Sequence, residues 1–129
     1  MPAVRILLVE DEVALNQLLE KYLRRLGYEV EAYSASQDAL RSFESAPQSY
    51  DLVIADLGMP DIPGDTLLER MLAIRPDLRV LICSGSPFFP ANLSPVLAQQ
   101  VAFLQKPFVP KMLSEAVERL LRRDKPPDQ

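Results

Sequence analysis

Leu52-Val53-Ile54-Ala55-Asp56-Leu57-Gly58-Met59-Pro60 is the stretch on which the reading of this chain turns. Four apolar residues in a row read as a strand buried on both faces. Gly58, Pro60, Pro63 and Gly64 then break the chain into a loop. Asp56 therefore stands at the lip of a strand, where a sheet of parallel strands keeps its chemistry. An Asp in that place also simply starts a turn, and taken alone it decides nothing.

Its company decides more. Val4-Arg5-Ile6-Leu7-Leu8-Val9 is a second apolar run, followed by Glu10-Asp11-Glu12. Val80-Leu81-Ile82-Cys83 ends in Ser84-Gly85, and Val101-Ala102-Phe103-Leu104 in Gln105-Lys106-Pro107. In chain order these four strand ends present acid, acid, hydroxyl and ammonium. If the strands are parallel, all four groups lie on one edge of one sheet.

Helical patterns separate the strands. Leu15, Leu18, Leu19, Tyr22, Leu23 and Leu26 recur at helical spacing, and Gly27 stands where a helix stops. Tyr28 to Tyr33 is half-polar, with Val30 and Ala32 on one side, and reads as an edge strand. Ser34-Ala35-Ser36-Gln37 matches a capping box and opens a helix from about Ala35 to Ala46, stopped by Pro47. Asp65 to Ile74 is a third helix. Ser94-Pro95 opens a short one to about Gln100, and Pro110 opens the last, striped by Met112, Leu113, Ala116, Val117, Leu120 and Leu121. Five alternations of strand and helix predict βαβ crossovers and a parallel sheet covered on both faces.

With 129 residues, 48% of them hydrophobic, the chain makes one domain with a sizeable core. Its formal charge of −4 argues against general affinity for nucleic-acid backbones. The single cysteine, Cys83, lies in an apolar strand and reads as a buried thiol in a reducing compartment. No apolar run approaches the roughly 18 residues needed to span a bilayer. The N-terminus lacks the pattern of a signal peptide, and the expected location is cytoplasmic. Histidine is absent, which removes the usual general base and the usual transition-metal ligand.

Carboxylates at the ends of strands one and three would repel each other, and a bound cation resolves the conflict. Oxygen donors without His or Cys suit Mg²⁺, and the Gly58 carbonyl, two residues beyond Asp56, would add a main-chain ligand. Lys106 is a point charge suited to a phosphoryl group, and Ser84 offers it a hydroxyl. Metal, ammonium and hydroxyl together would stabilise in-line transfer onto Asp56 as nucleophile. Each part has a plainer alternative: the acidic triplet as a solvated loop favouring a helix N-terminus, Ser84 as a turn cap, Lys106-Pro107 as a surface loop.

Ile6-Leu7-Leu8-Val9-Glu10-Asp11-Glu12, the run from Asp51 to Pro60 and Phe103-Leu104-Gln105-Lys106-Pro107-Phe108 resemble the receiver domain of two-component response regulators. The likeness runs from Val4 to about Arg122, and places a receiver domain over residues 1–123 and a polar, Pro-rich tail or linker over 124–129. It implies a flavodoxin-like (βα)5 doubly wound fold in one domain, with strand order 2-1-3-4-5. By the same resemblance Asp56 is the phosphoacceptor, and Glu10, Asp11, Asp56 and the Gly58 carbonyl hold Mg²⁺. Ser84 and Phe103 are the switch pair and Lys106 the phosphate-facing lysine, followed by a cis bond to Pro107. The donor would be a phosphohistidine on a histidine kinase or histidine phosphotransfer protein. Phosphorylation would then change the face formed by the fourth helix, fifth strand and fifth helix for a downstream protein partner. Beyond this self-catalysed phosphotransfer and autodephosphorylation the chain would not be an enzyme.

Three features depart from the family pattern. Val109 replaces the usual capping residue before the last helix, which costs on the order of 1 kcal/mol. Pro87, Pro90 and Pro95 forbid a long regular fourth helix that starts early. Gln99-Gln100 replaces the customary Ala-Gly before strand five, and Phe88 and Phe89 either fill the core or form a partner patch. No DNA-binding output domain is expected within these 129 residues, and Phe103-Leu104-Gln105-Lys106-Pro107-Phe108 resembles receivers attached to hybrid sensor kinases, so a stand-alone regulator and an excised or terminal receiver both stay open. A haloacid-dehalogenase-type aspartyl-phosphate phosphatase would need an Asp where Gly58 stands. A flavin module would need a phosphate-cradling loop where Glu10-Asp11-Glu12 would repel an anion. A degenerate receiver, folded but unphosphorylated, would act as a binding module alone.

Overall fold

The computed structural model describes residues 3–56, 58–62, 64–85 and 100–122. Among these, five parallel strands form one sheet: β1 (Arg5–Val9), β2 (Glu29–Tyr33), β3 (Leu52–Asp56), β4 (Val80–Ser84) and β5 (Val101–Gln105). Their order is β2-β1-β3-β4-β5, the doubly wound arrangement expected. The helices described are α1 (Val13–Arg25), α2 (Ser36–Ser45), α3 (Gly64–Ile74) and a last helix, Pro110–Arg122. A 3₁₀ turn at Pro47–Ser49, which the sequence did not suggest, follows α2. The short helix expected over Ser94–Gln100 (save its last residue), Phe88, Phe89 and the tail beyond 123 lie outside the described residues.

Alternation along each strand divides the core. Leu7, Val9, Val53, Ala55, Val80 and Ile82 point to the face covered by α2 and α3. Ile6, Leu8, Leu52, Ile54, Leu81 and Cys83 point to the face covered by α1 and the last helix. Because both faces are covered, the central strands read as unbroken apolar runs rather than as alternating ones.

α1 ends in a Schellman motif. Gly27, at φ +99°, donates to the Arg24 carbonyl at 3.0 Å, and Tyr28 N–H reaches back to the Leu23 carbonyl at 3.2 Å. The buried stripe of α1 is narrower than its leucine spacing predicts. Leu19 and Leu23 are buried, but Leu18 is 61% and Leu26 45% exposed, because a helix on one sheet face buries a single stripe. Met112, expected in the stripe of the last helix, is likewise 43% exposed. The capping box at Ser34 does not form. The N-cap of α2 is Ala35, without a side-chain bond, and the Asp61 carboxylate takes the role from a distant loop. Asp61 accepts from Ser36 N–H at 3.2 Å and from Gln37 N–H at 2.9 Å. Gln100, the departure before β5, donates its side-chain amide to the Pro76 and Leu78 carbonyls, both at 2.8 Å, and ties the start of β5 to the end of α3.

A polar cluster sits under the β1–β2 edge. The Glu31 carboxylate accepts from Arg5 at 2.6 Å, Tyr33 at 2.7 Å, Ser42 at 2.6 Å and Tyr50 at 2.6 Å. Arg5 also lies 5.4 Å from the centre of the Tyr50 ring, within cation–π range. Burial alone would raise the Glu31 carboxyl, but the hydroxyls of Ser42, Tyr50 and Tyr33 and the Arg5 guanidinium outweigh it and hold the group at about 2. A folded-state value below the unfolded one stabilises the fold above the unfolded value, and that contribution is lost as pH falls toward about 2.

Two predictions follow from these contacts. Glu31→Gln should cost about 1.5–3 kcal/mol at neutral pH, the scale of hydrogen bonds to a charged group. It should also flatten the loss of thermal stability that the parent shows between about pH 4.5 and pH 2, read by circular dichroism melts across that range. Gly27→Ala should cost about 1 kcal/mol through backbone strain alone, since an added Cβ meets nothing within 4 Å. Urea unfolding with an unchanged m-value measures this cost.

Candidate functional site

The order β2-β1-β3 places the switch point of the sheet between β1 and β3. From β1 the chain crosses to β2 on one side, and β3 then pairs on the other, so the loops after β1 and β3 diverge and open a crevice. Glu10 and Asp11 follow β1 and Asp56 ends β3, so all three line this crevice at the carboxyl ends of the strands.

Glu10 is 1% exposed and Asp56 8% exposed, while Asp11 is exposed. One carboxylate oxygen from each of Glu10, Asp11 and Asp56 lies within 4.8 Å of the others. Lys106, just past β5, enters this group. Its ammonium lies 2.8 Å from Glu10 Oε1 and 3.3 Å from Asp56 Oδ2. Glu10 Oε2 accepts from Glu12 N–H at 3.1 Å, and Asp56 Oδ1 from Gly58 N–H at 3.1 Å. Both buried acids are thus oriented by one backbone donor and one shared cation.

Burial pushes the Glu10 carboxyl up, with the nearby Asp56 charge adding to it; the Lys106 bond and the Glu12 N–H offset only part of the rise. Burial alone would lower Lys106, but the bond and charge of Glu10, with the Asp56 charge, outweigh it and push the ammonium up, so it stays charged at neutral pH. Three carboxylates meeting one ammonium formally leave two negative charges in excess. With oxygen donors and no His or Cys among the ligands, the set suits a hard divalent cation.

Ser84 ends β4 and is 5% exposed, and its carbonyl accepts from Lys106 N–H at 2.7 Å. That bond extends the β4–β5 ladder past its last pair and aims the lysine along the edge. The Lys106-Pro107 peptide is cis, as the resemblance implies. Phe103 lies two residues before the end of β5, beside Ile82, half-buried against the α2–α3 face of the core and outside the charged group. Cys83 pairs in register with Asp56, but burial, the largest influence, pushes its thiol up to about 12, which leaves it protonated and unreactive at neutral pH.

Two contributors escaped the sequence reading. Asn16, buried on α1, donates its side-chain amide to the carbonyls of Glu10 and Tyr33, both at 2.9 Å, and fixes the acidic loop to the ends of β1 and β2. A polar residue inside the apolar stripe of α1 was the signal for it. Asp61 had no such signal, because its partners lie 25 and 24 residues away.

Comparison with known proteins agrees with this geometry. The family model "Response regulator receiver domain" matches residues 6–118. The chain is 34% identical over 130 residues to the transcriptional regulatory protein CssR of Bacillus subtilis (strain 168), across 96% of this chain but only 55% of CssR. It is 35% identical, with a TM-score of 0.77, to the crystal structure of the receiver domain from the hybrid histidine kinase CckA, over 91% of this chain and 98% of that one. A response regulator receiver domain from Clostridium thermocellum superposes with a TM-score of 0.81 at 30% identity, over 94% of this chain and 96% of that one. With its strand order, its acidic crevice and a family match over nearly its whole length, this chain belongs to the response regulator receiver domains of two-component systems.

Proposed function

We propose that this chain is a phosphorylation-dependent signalling receiver that takes a phosphoryl group from a phosphohistidine onto Asp56. The observation that carries the reading is the Lys106 ammonium held between the Glu10 and Asp56 carboxylates at the carboxyl edge of the sheet. In the transfer, an Asp56 oxygen bonds to phosphorus as the P–N bond to the donor imidazole breaks. Lys106 neutralises charge on the equatorial oxygens, and the Ser84 hydroxyl serves another of them. Glu10, Asp11, Asp56 and the Gly58 carbonyl would hold Mg²⁺, which would supply further neutralisation of the phosphoryl oxygens. Gly58 offers no acid–base side chain at the place where a phosphatase of the aspartyl-phosphate class needs one.

The donor is read as a histidine kinase or histidine phosphotransfer protein. Exposed apolar side chains at the rim support docking of a protein there. Val13 is 60% exposed at the start of α1, directly after the acidic triplet, and Val109 is 56% exposed three residues past Lys106. On the output side, Ser84 and Phe103 form the switch pair that would carry the change toward β5 and the last helix for a downstream partner. Ser84 lies buried at the edge, and Phe103 sits half-buried one strand over.

Incubation with acetyl phosphate and Mg²⁺ should add one phosphoryl group to the intact mass of the parent and none to Asp56→Asn. Equal labelling of Asp56→Asn would sink the assignment. Lys106→Met should slow uptake on the order of 10²-fold, the cost of losing one charge-stabilising group, while chelation of the metal should halt labelling in the parent. A rate unaffected by Lys106→Met would count against the role given to the ammonium.

A further inference from the structure

The loop after β3 is fastened at two points. At its near end Gly58 N–H donates to Asp56 Oδ1 at 3.1 Å. At its far end the Asp61 carboxylate takes the first two free amides of α2, accepting from Ser36 N–H at 3.2 Å and Gln37 N–H at 2.9 Å. Between the two, Met59 is 4% exposed and packs into the core shared by α2 and α3. α2 has no side-chain cap of its own, so the loop supplies the acceptors that its amino end would otherwise lack. Burial would raise the Asp61 carboxyl, but the N–H groups of Gln37, Ile62 and Ser36 outweigh it and keep the group charged, as befits an anion at a helix N-terminus.

We propose that Asp61 is a positioning residue for the acid pocket, pinning the Gly58–Asp61 loop to α2 so that filling the pocket and ordering the amino end of α2 are one coupled event. The inference rests on the reading of Gly58 and the three carboxylates as Mg²⁺ ligands. If Asp61 holds the Gly58 carbonyl in its place, loss of the tether weakens binding of the ion. By reciprocity, bound ion must then tighten the tether.

Mg²⁺ titrations and amide exchange on the ¹⁵N-labelled chain test this, with Asp61→Ala, Asp61→Asn and Ser45→Gly as variants. Ser45 is exposed at the far end of α2 from the loop, so its replacement by Gly loosens the helix without touching the tether. In the parent, Mg²⁺ should slow exchange at the Ser36 and Gln37 amides. Asp61→Ala should bind Mg²⁺ about fivefold or more weakly and lose the response of those two amides, with Asp61→Asn, which keeps an acceptor, in between. Ser45→Gly should retain parental affinity. Parental Mg²⁺ affinity in Asp61→Ala, or equal weakening in Ser45→Gly, would overturn the coupling and leave the metal reading standing. A parent that binds no Mg²⁺ would overturn the metal reading itself, and this inference with it.

Discussion

One ammonium is shared by two buried carboxylates that the chain brings from 96 and 50 residues away. That sharing depends on the parallel register of the sheet. Glu10 and Asp56 reach the same edge because β1 and β3 run the same way side by side, and Lys106 reaches it because the β4–β5 ladder continues into the Ser84 carbonyl. Removing charges from water is costly, and a buried acid is tolerated where a partner and fixed hydrogen bonds compensate it. Here each of the two acids has one backbone N–H and one share of Lys106. The compensation is incomplete, because the carboxylates outnumber the cation. The fold thus holds an edge with standing negative charge, suited to a divalent ion.

Much of this was legible in the sequence because it depends on short-range pattern. The apolar runs of β1, β3 and β4 are long enough to read as two-faced strands, and the groups at their ends follow directly. Strand order came through the resemblance, since periodicity assigns elements but not neighbours. The four charged residues of the crevice were found by the same route: each is the first polar group after a strand or close to it. The family match, over residues 6–118, then reached all five strands.

What stayed hidden depends on contacts between distant segments. The serine-led capping box at Ser34 was a sound local pattern, yet Asp61 outcompetes it by offering two carboxylate oxygens from outside the helix. Leu18, Leu26 and Met112 carry the spacing of a buried stripe, but a helix resting on a sheet has room for fewer residues than a periodic count suggests. Gln100, which looked like an irregularity before β5, serves two carbonyls at the end of α3 that no sequence pattern connects with it. Glu31 was passed over because an acid in a half-polar edge strand reads as solvated. Only the fold shows Arg5, Tyr33, Ser42 and Tyr50 converging on it.

The Glu31 cluster has a bearing on how the chain behaves in company. β2 is the outermost strand on its side of the sheet, and a terminal strand presents unpaired backbone groups that can recruit another chain. A charge turned inward along such a strand, held by four donors from beneath, commits the side chains of the margin to their own protein. A foreign strand laid against it would have to coexist with that fixed charge. The contacts that anchor β2 therefore also place a fixed charge beside its unpaired margin, which disfavours edge-to-edge pairing of one copy with another.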